Sequence, residues 1–287
     1  MTFRGGGPLN TGNVSGGGGG RGKLAIGGGA GLIIVIVAAL FGLDPNDLGL
    51  GSDGSSSTSS SQDQSAIDEH INSCTIEQAN TDTVCRIVAT TNSLDAVWSD
   101  IMPGYEPPKT IIFEGSVDTA CGPATSDVGP FYCPGDQTAY FDPAFFDVLS
   151  GRLGGGDGPL AQEYVVAHEY GHHVEYLTGA LQQGQRMGSA GPTSGSVRIE
   201  LQADCLAGVW ASQADKGPDA MLEPLTQQQI NDVIKTAKAI GDDAIGGAAS
   251  NPEGWTHGSS DQRVHWFNVG YTTGDPNSCN TFEAASL

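Results

Sequence analysis

The sequence predicts an α+β protein, mainly helical with a small sheet, preceded by one transmembrane helix. Three observations carry this expectation. Apolar residues recur at helical spacing over 159–179 and 196–213, and a third such stretch opens at Thr226 and runs to about Ile240. Only short β-branched or aromatic runs, 109–114 and 137–141, read as strands. Residues 24–43 carry no charge at all.

Residues 1–23 are Gly-rich with Arg4, Arg21 and Lys23 as their charges, a composition with too little apolar surface to build a core, so a disordered tail is expected. Residues 24–43 follow, ending in Leu32-Ile33-Ile34-Val35-Ile36-Val37-Ala38-Ala39-Leu40-Phe41. As a helix this stretch spans roughly 30 Å, the thickness of a bilayer core. Basic residues precede it and Asp44, Asp47 and Asp53 follow it. The positive-inside rule therefore predicts a single-pass membrane protein with a cytoplasmic N-terminus and an extracytoplasmic main domain. A cleaved signal peptide is the competing reading, but no small-x-small cleavage site stands at a suitable place after the apolar run. Residues 44–65 are a Ser/Gly-rich linker, with a coil reach of about 25 Å.

The main domain is expected over 66–287. All 33 acidic residues of the chain lie after position 43, whereas three of the 12 basic ones lie before it. A field so acidic excludes nucleic acid as a partner of this domain. A short helix is expected from Ser93 to Met102, stopped by Pro103-Gly104, then a strand at Lys109–Glu114, a Gly/Pro/Cys-rich loop at Cys121–Gly135, a strand at Gln137–Phe141 and a short helix at Pro143–Leu149. Pro159 stands where a helix tolerates a missing N–H, and Gly179 where one ends. Gln182 to Ser196 reads as a loop. Thr226-x-x-Gln229 is a capping box.

Six cysteines, at 74, 85, 121, 133, 205 and 279, form no Cys-x-x-Cys pair, which argues against a cysteine-ligated zinc. An even number outside the cytoplasm points to disulfides. Fifteen pairings are combinatorially open. The simplest joins Cys74 to Cys85 and Cys121 to Cys133, leaving Cys205 for Cys279; Cys205 also reads as a buried thiol on an apolar helix face.

The chemistry centres on His168-Glu169-x-x-His172. Residues four apart share one face of a helix, so both imidazoles can reach a single metal ion. Glu169 is rotated by about 100° from His168, which suits a general base acting on a metal-activated water. A catalytic zinc takes three protein ligands and keeps one position open. Glu200 is the candidate third ligand, on the second long helix. Asp204, four residues on, faces the same way and can accept the other ring N–H of a ligating histidine. This is a Glu-zincin arrangement.

The strings Thr119-Ala120-Cys121-Gly122-Pro123, Gly129-Pro130-Phe131-Tyr132-Cys133-Pro134, Ala167-His168-Glu169-Tyr170-Gly171-His172-His173-Val174, Arg198-Ile199-Glu200-Leu201-Gln202-Ala203-Asp204-Cys205-Leu206-Ala207-Gly208-Val209-Trp210 and His257-Gly258-Ser259-Ser260-Asp261-Gln262-Arg263, with Trp266-Phe267 and Gly270-Tyr271, together resemble the bacterial neutral zinc metallopeptidase family over roughly residues 90–285. The resemblance implies a zincin-like fold and a Glu-zincin site, with one zinc ion on His168, His172 and Glu200 and with Glu169 as base. Among the remaining candidates, His257 in its Gly/Ser loop can stabilise an oxyanion as a catalytic residue, and Tyr140 or Tyr271 can do the same work. His173 adjoins His172 but points about 100° away from it and reads as packing or as support behind the ligands, while His70 and His265 read as structural. The expected function is a membrane-anchored, extracytoplasmic zinc peptidase acting on peptide or protein substrates. The rivals are a catalytically inactive, zinc- and disulfide-stabilised envelope binding protein and a zinc amidase acting on cell-wall material.

Overall fold

The sheet joins the N-terminal end of the described chain to its middle. The computed structural model describes residues 2–17 and 60–287. Strand β1 (Val14–Gly17) runs parallel to β2 (Lys109–Phe113); β2 runs parallel to β6 (Thr138–Phe141), and β6 pairs antiparallel with β5 (Phe131–Cys133), giving the order β1-β2-β6-β5. Strands β3 (Ser116–Thr119) and β4 (Gly122–Thr125) form a separate antiparallel pair. The helices, in chain order, are α1 (Ser60–Ser73), α2 (Ile76–Ala79), α3 (Thr83–Ile101), α4 (Phe145–Gly151), α5 (Pro159–Thr178), α6 (Ala180–Gln185), α7 (Gly195–Gln213), α8 (Gln227–Ala239), α9 (Asp242–Gly246) and α10 (Ser260–Thr273).

Helix α5 is the longest of these and lies in the middle of the core. It starts with Pro159 at its first turn and ends on Gly179, whose φ of 81° places it in the left-handed region that glycine enters without strain. Tyr164, Val165, Val166, Ala167, Tyr170 and Val174 are buried along it. Removing a large apolar side chain from water is worth roughly 1.5–3 kcal/mol, whereas helix propensities differ by less than about 1 kcal/mol per ordinary residue. Packing therefore holds the polar run His168 to His173 in helical form. Helix α7 crosses α5 closely enough that a Cβ on Gly171 would come within 3.0 Å of the Ala203 backbone. On its other side α7 meets α10 at backbone distance: a Cβ on Gly270 would fall 1.8 Å from the Cys205 carbonyl oxygen.

The structure also corrects several expectations. Helix α3 begins at Thr83, capped by the Asp82 side chain accepting from Cys85 N at 2.8 Å, ten residues before the predicted Ser93. Ser93 is instead buried mid-helix, where its hydroxyl accepts from the Trp210 indole N–H at 3.1 Å. The loop predicted from Gln182 overlaps α6, and the folded domain is already helical at Ser60, within the predicted linker and before the expected start at Ala66. Residues 2–17 are not the disordered tail their composition suggested. They pack on the domain through backbone groups, which a compositional argument does not weigh. The predicted span at 24–43 and most of the linker lie outside the described residues, and no described helix is long and apolar enough to cross a membrane. Cysteines 74 and 85, 121 and 133, and 205 and 279 are joined as three disulfides.

Candidate metal centre

One turn of α5 and one turn of α7 meet at three ligand atoms. His168 Nε2 lies 3.1 Å from Glu200 Oε2, and His172 Nε2 lies 3.6 Å from Glu200 Oε1. The two imidazoles stand edge to face with centroids 4.8 Å apart. Tetrahedral coordination with bonds of about 2.0–2.1 Å separates neighbouring ligand atoms by roughly 3.4 Å. The donor set therefore fits a zinc ion, and these three residues are among those whose ligand atoms all lie within 4.8 Å of one another. Gly171, between the histidines, is what admits α7 this closely.

Both imidazoles are oriented from behind. His168 Nδ1 is 2.9 Å from Asp204 Oδ1 and His172 Nδ1 is 2.8 Å from Glu175 Oε2. A carboxylate at Nδ1 draws the ring N–H to that side and leaves Nε2 free to ligate. Asp204 is itself clamped: the Arg263 guanidinium meets both its oxygens, at 2.9 and 3.0 Å, and the Tyr164 hydroxyl donates to it. Burial alone would raise Asp204, but Arg263 and then His168 hold it below the ordinary carboxylate range. Four acidic side chains, Glu169, Glu175, Glu200 and Asp204, are gathered here, and Arg263 is their one permanently charged cationic partner among the described residues. Buried charge without balance is strongly unfavourable, so the constellation suits a divalent cation.

Protonation follows the same logic. Burial drives His172 down to about 4, which favours the neutral ring. For His168 burial acts downward, but Asp204 and then Glu200 raise it to about 10, and a cation reaching Nε2 displaces that proton. Burial pushes Glu169 up to about 7. That value is well placed for a group that takes up and returns a proton near neutrality.

The histidines open into a cavity of about 320 Å³ lined by Glu169, Phe131, Tyr132, Phe145, Ile199 and His257, among others. His257 sits on a loop fixed by one buried side chain: Asp242 Oδ2 accepts from the backbone N–H groups of Thr256, His257 and Gly258 at 2.8, 2.7 and 2.9 Å, and its other oxygen is 3.4 Å from His257 Nδ1. Thus His168, Glu169, His172, Glu200, Asp204 and His257, named from sequence, come together.

Other candidates do not. The Tyr140 hydroxyl donates to Asp136 at 2.9 Å, and Tyr271 stacks on Phe267; neither lines the cavity. His173 ties α5 to its surroundings, with Nδ1 2.9 Å from the Tyr132 hydroxyl and Nε2 2.7 Å from the Glu106 carbonyl. His70 Nε2 lies 3.2 Å from Asp82 Oδ2 on the surface. These two lie near Cys74 and Cys85, but the bridge between those cysteines removes both thiolates as ligands. His265 packs edge-on to Trp266.

Sequence reasoning missed Glu175, Arg263 and Asp242. Glu175 stands three residues after His172 on one helical face, a spacing that could have flagged it. Nothing local marks Asp242, which reaches the site only through a loop fifteen residues on.

Comparison with known proteins identifies a family for the chain. The family described as "Putative neutral zinc metallopeptidase" matches residues 8–282. "Uncharacterized protein Rv2575" of Mycobacterium tuberculosis is 54% identical over 217 residues, 73% of this chain and 74% of that protein. "Uncharacterized protein YpfJ" of Escherichia coli is 42% identical over 185 residues, 62% of each chain. No solved structure matches.

Proposed function

The chain belongs to the neutral zinc metallopeptidase family, and on that premise we propose that it is a zinc-dependent peptidase of zincin-like fold that hydrolyses peptide bonds outside the cytoplasm. The observation that carries the reading is the convergence of His168, His172 and Glu200 with Glu169 beside them in an open cavity. Family membership supports a hydrolase and zinc. The three disulfides favour an oxidising compartment.

His168, His172 and Glu200 would hold one zinc ion. When bound, it supplies Lewis acidity toward the scissile carbonyl and toward water. The protein's own residues do the rest. Glu169 removes a proton from the attacking water and delivers it to the departing nitrogen. His257, held over the cavity by Asp242, donates a hydrogen bond to the oxygen on which negative charge develops. The apolar walls around Phe131, Phe145 and Ile199 favour substrates with large apolar side chains.

Glu169→Gln tests the assignment. The variant should bind zinc like the wild type and lose about 10²–10⁴-fold in hydrolysis of a mixed peptide library. Equal cleavage by the variant would overturn the mechanism. Cleavage of peptidoglycan but not peptides by the wild type would instead select the cell-wall amidase, and zinc binding with no turnover of either would select a binding protein.

A further inference from the structure

Residues 2–17 occupy a groove built by distant parts of the domain. The Asn80 amide reads the start of this segment: its Oδ1 accepts from the N–H groups of Thr2 and Phe3 at 2.8 and 3.1 Å, and its Nδ2 donates to the Phe3 carbonyl at 3.1 Å. Phe3 is 3% exposed, buried in the same core as α5. Arg4 N and Glu223 N form backbone bonds that pair residues 2–4 antiparallel with residues 221–223. Asn92 exchanges hydrogen bonds with the Asn10 backbone, at 2.8 and 2.7 Å. Beyond that, β1 pairs in register with β2 from Val14 opposite Thr110 to Gly17 opposite Phe113, and Asp68 of α1 accepts from Gly16 N at 2.6 Å. The fit is tight, since a Cβ on Gly17 would fall 2.3 Å from Ile111 Cγ2. The family match begins at residue 8, ahead of β1.

Paired strands lie about 4.8 Å apart, whereas a bilayer core is about 30 Å thick. A strand cannot pair across it. We propose that residues 2–17 are an integral part of the catalytic domain and that the two flanks of residues 18–59 lie on the same side of any membrane the apolar stretch enters. The single span expected from sequence, with the N-terminus inside and the domain outside, is incompatible with this sheet. The charge asymmetry around 24–43 then does not report opposite compartments. The inference is independent of whether the site cleaves peptides.

The Thr11 hydroxyl lies 3.1 Å from Asn72 Oδ1, which makes the pair Thr11→Cys with Asn72→Cys a direct test in the full chain, expressed in bacterial cells. All six native cysteines are bridged, so the introduced thiols are the free ones. The expected result is a further disulfide joining residues 11 and 72, seen by mass spectrometry of non-reduced digests. Two free introduced thiols in protein whose native bridges have formed would overturn the proposal. Should the double variant fold poorly, the exposed single variants Asn10→Cys and Gln228→Cys are treated with a membrane-impermeant maleimide on intact spheroplasts. Both should react or both be protected; reaction of one alone would overturn the proposal.

Discussion

Helix α5 carries buried carboxyl groups near both ends, and their surroundings differ. Glu163, in its second turn, is wholly buried beside Thr2 and Arg86, and neither of its oxygens meets a hydrogen-bond partner among the described residues. Burial raises its carboxyl to about 8. Glu175, three turns on, is equally buried and also raised, by burial and then by Glu200 and Asp204, but one of its oxygens sits on the Nδ1 of a candidate ligand. A buried acid is therefore not in itself a sign of function. Convergence is the sign: at the Glu175 end, groups from three helices aim at one point, and at the Glu163 end they do not.

That contrast can be broken experimentally. The largest expected effect on the site comes from Glu200→Ala, which removes a proposed ligand. Zinc content after dialysis, read by elemental analysis, should fall to background and peptide hydrolysis with it; a variant that keeps stoichiometric zinc would displace Glu200 from the ligand set. Glu175→Gln should be milder. Loss of an orienting partner typically weakens metal affinity by roughly 10–100-fold, measurable by competition with a chromophoric chelator, and an unchanged affinity would reduce Glu175 to packing.

Glu163→Gln should leave zinc affinity and turnover unaltered and act on stability alone. The unfolded carboxyl titrates near 4.5 and the folded one near 8, so between these values the native state holds more protons than the unfolded one. Stability is full below about 4.5 and falls as pH rises through about 8, by at most about tenfold in the folding equilibrium per pH unit for one proton. The variant should flatten that slope in denaturant titrations run from pH 5 to 9. An unchanged slope would show that Glu163 is not the group responsible, and altered zinc binding would erase the distinction between the two ends of the helix.

The legible parts of this protein were those with short-range physical signatures. His168 and His172 stand one turn apart on one helical face, Pro159 and Gly179 punctuate the helix that carries them, and Thr226 with Gln229 forms the capping box read from their spacing. Glu200 and Asp204 were legible for the same reason, as a second pair on one helical face. The early start of α3 was obscured because Ser93 has the residue type of a cap but spends its hydroxyl on Trp210 from another helix. Asp242 was invisible because its partners are backbone N–H groups of a loop fifteen residues away.

The sequence by itself determined the chemistry: which side chains can bind a metal, which can move a proton, and which helices carry them. Tertiary structure decided which of these meet. It brought α7 onto Gly171 so that Glu200 reaches both histidines, added Glu175 and Arg263 behind them, and turned Tyr140 and Tyr271 elsewhere. It also laid a Gly-rich segment into the sheet through backbone hydrogen bonds. Backbone groups are common to every residue, so no composition or periodicity records where they pair.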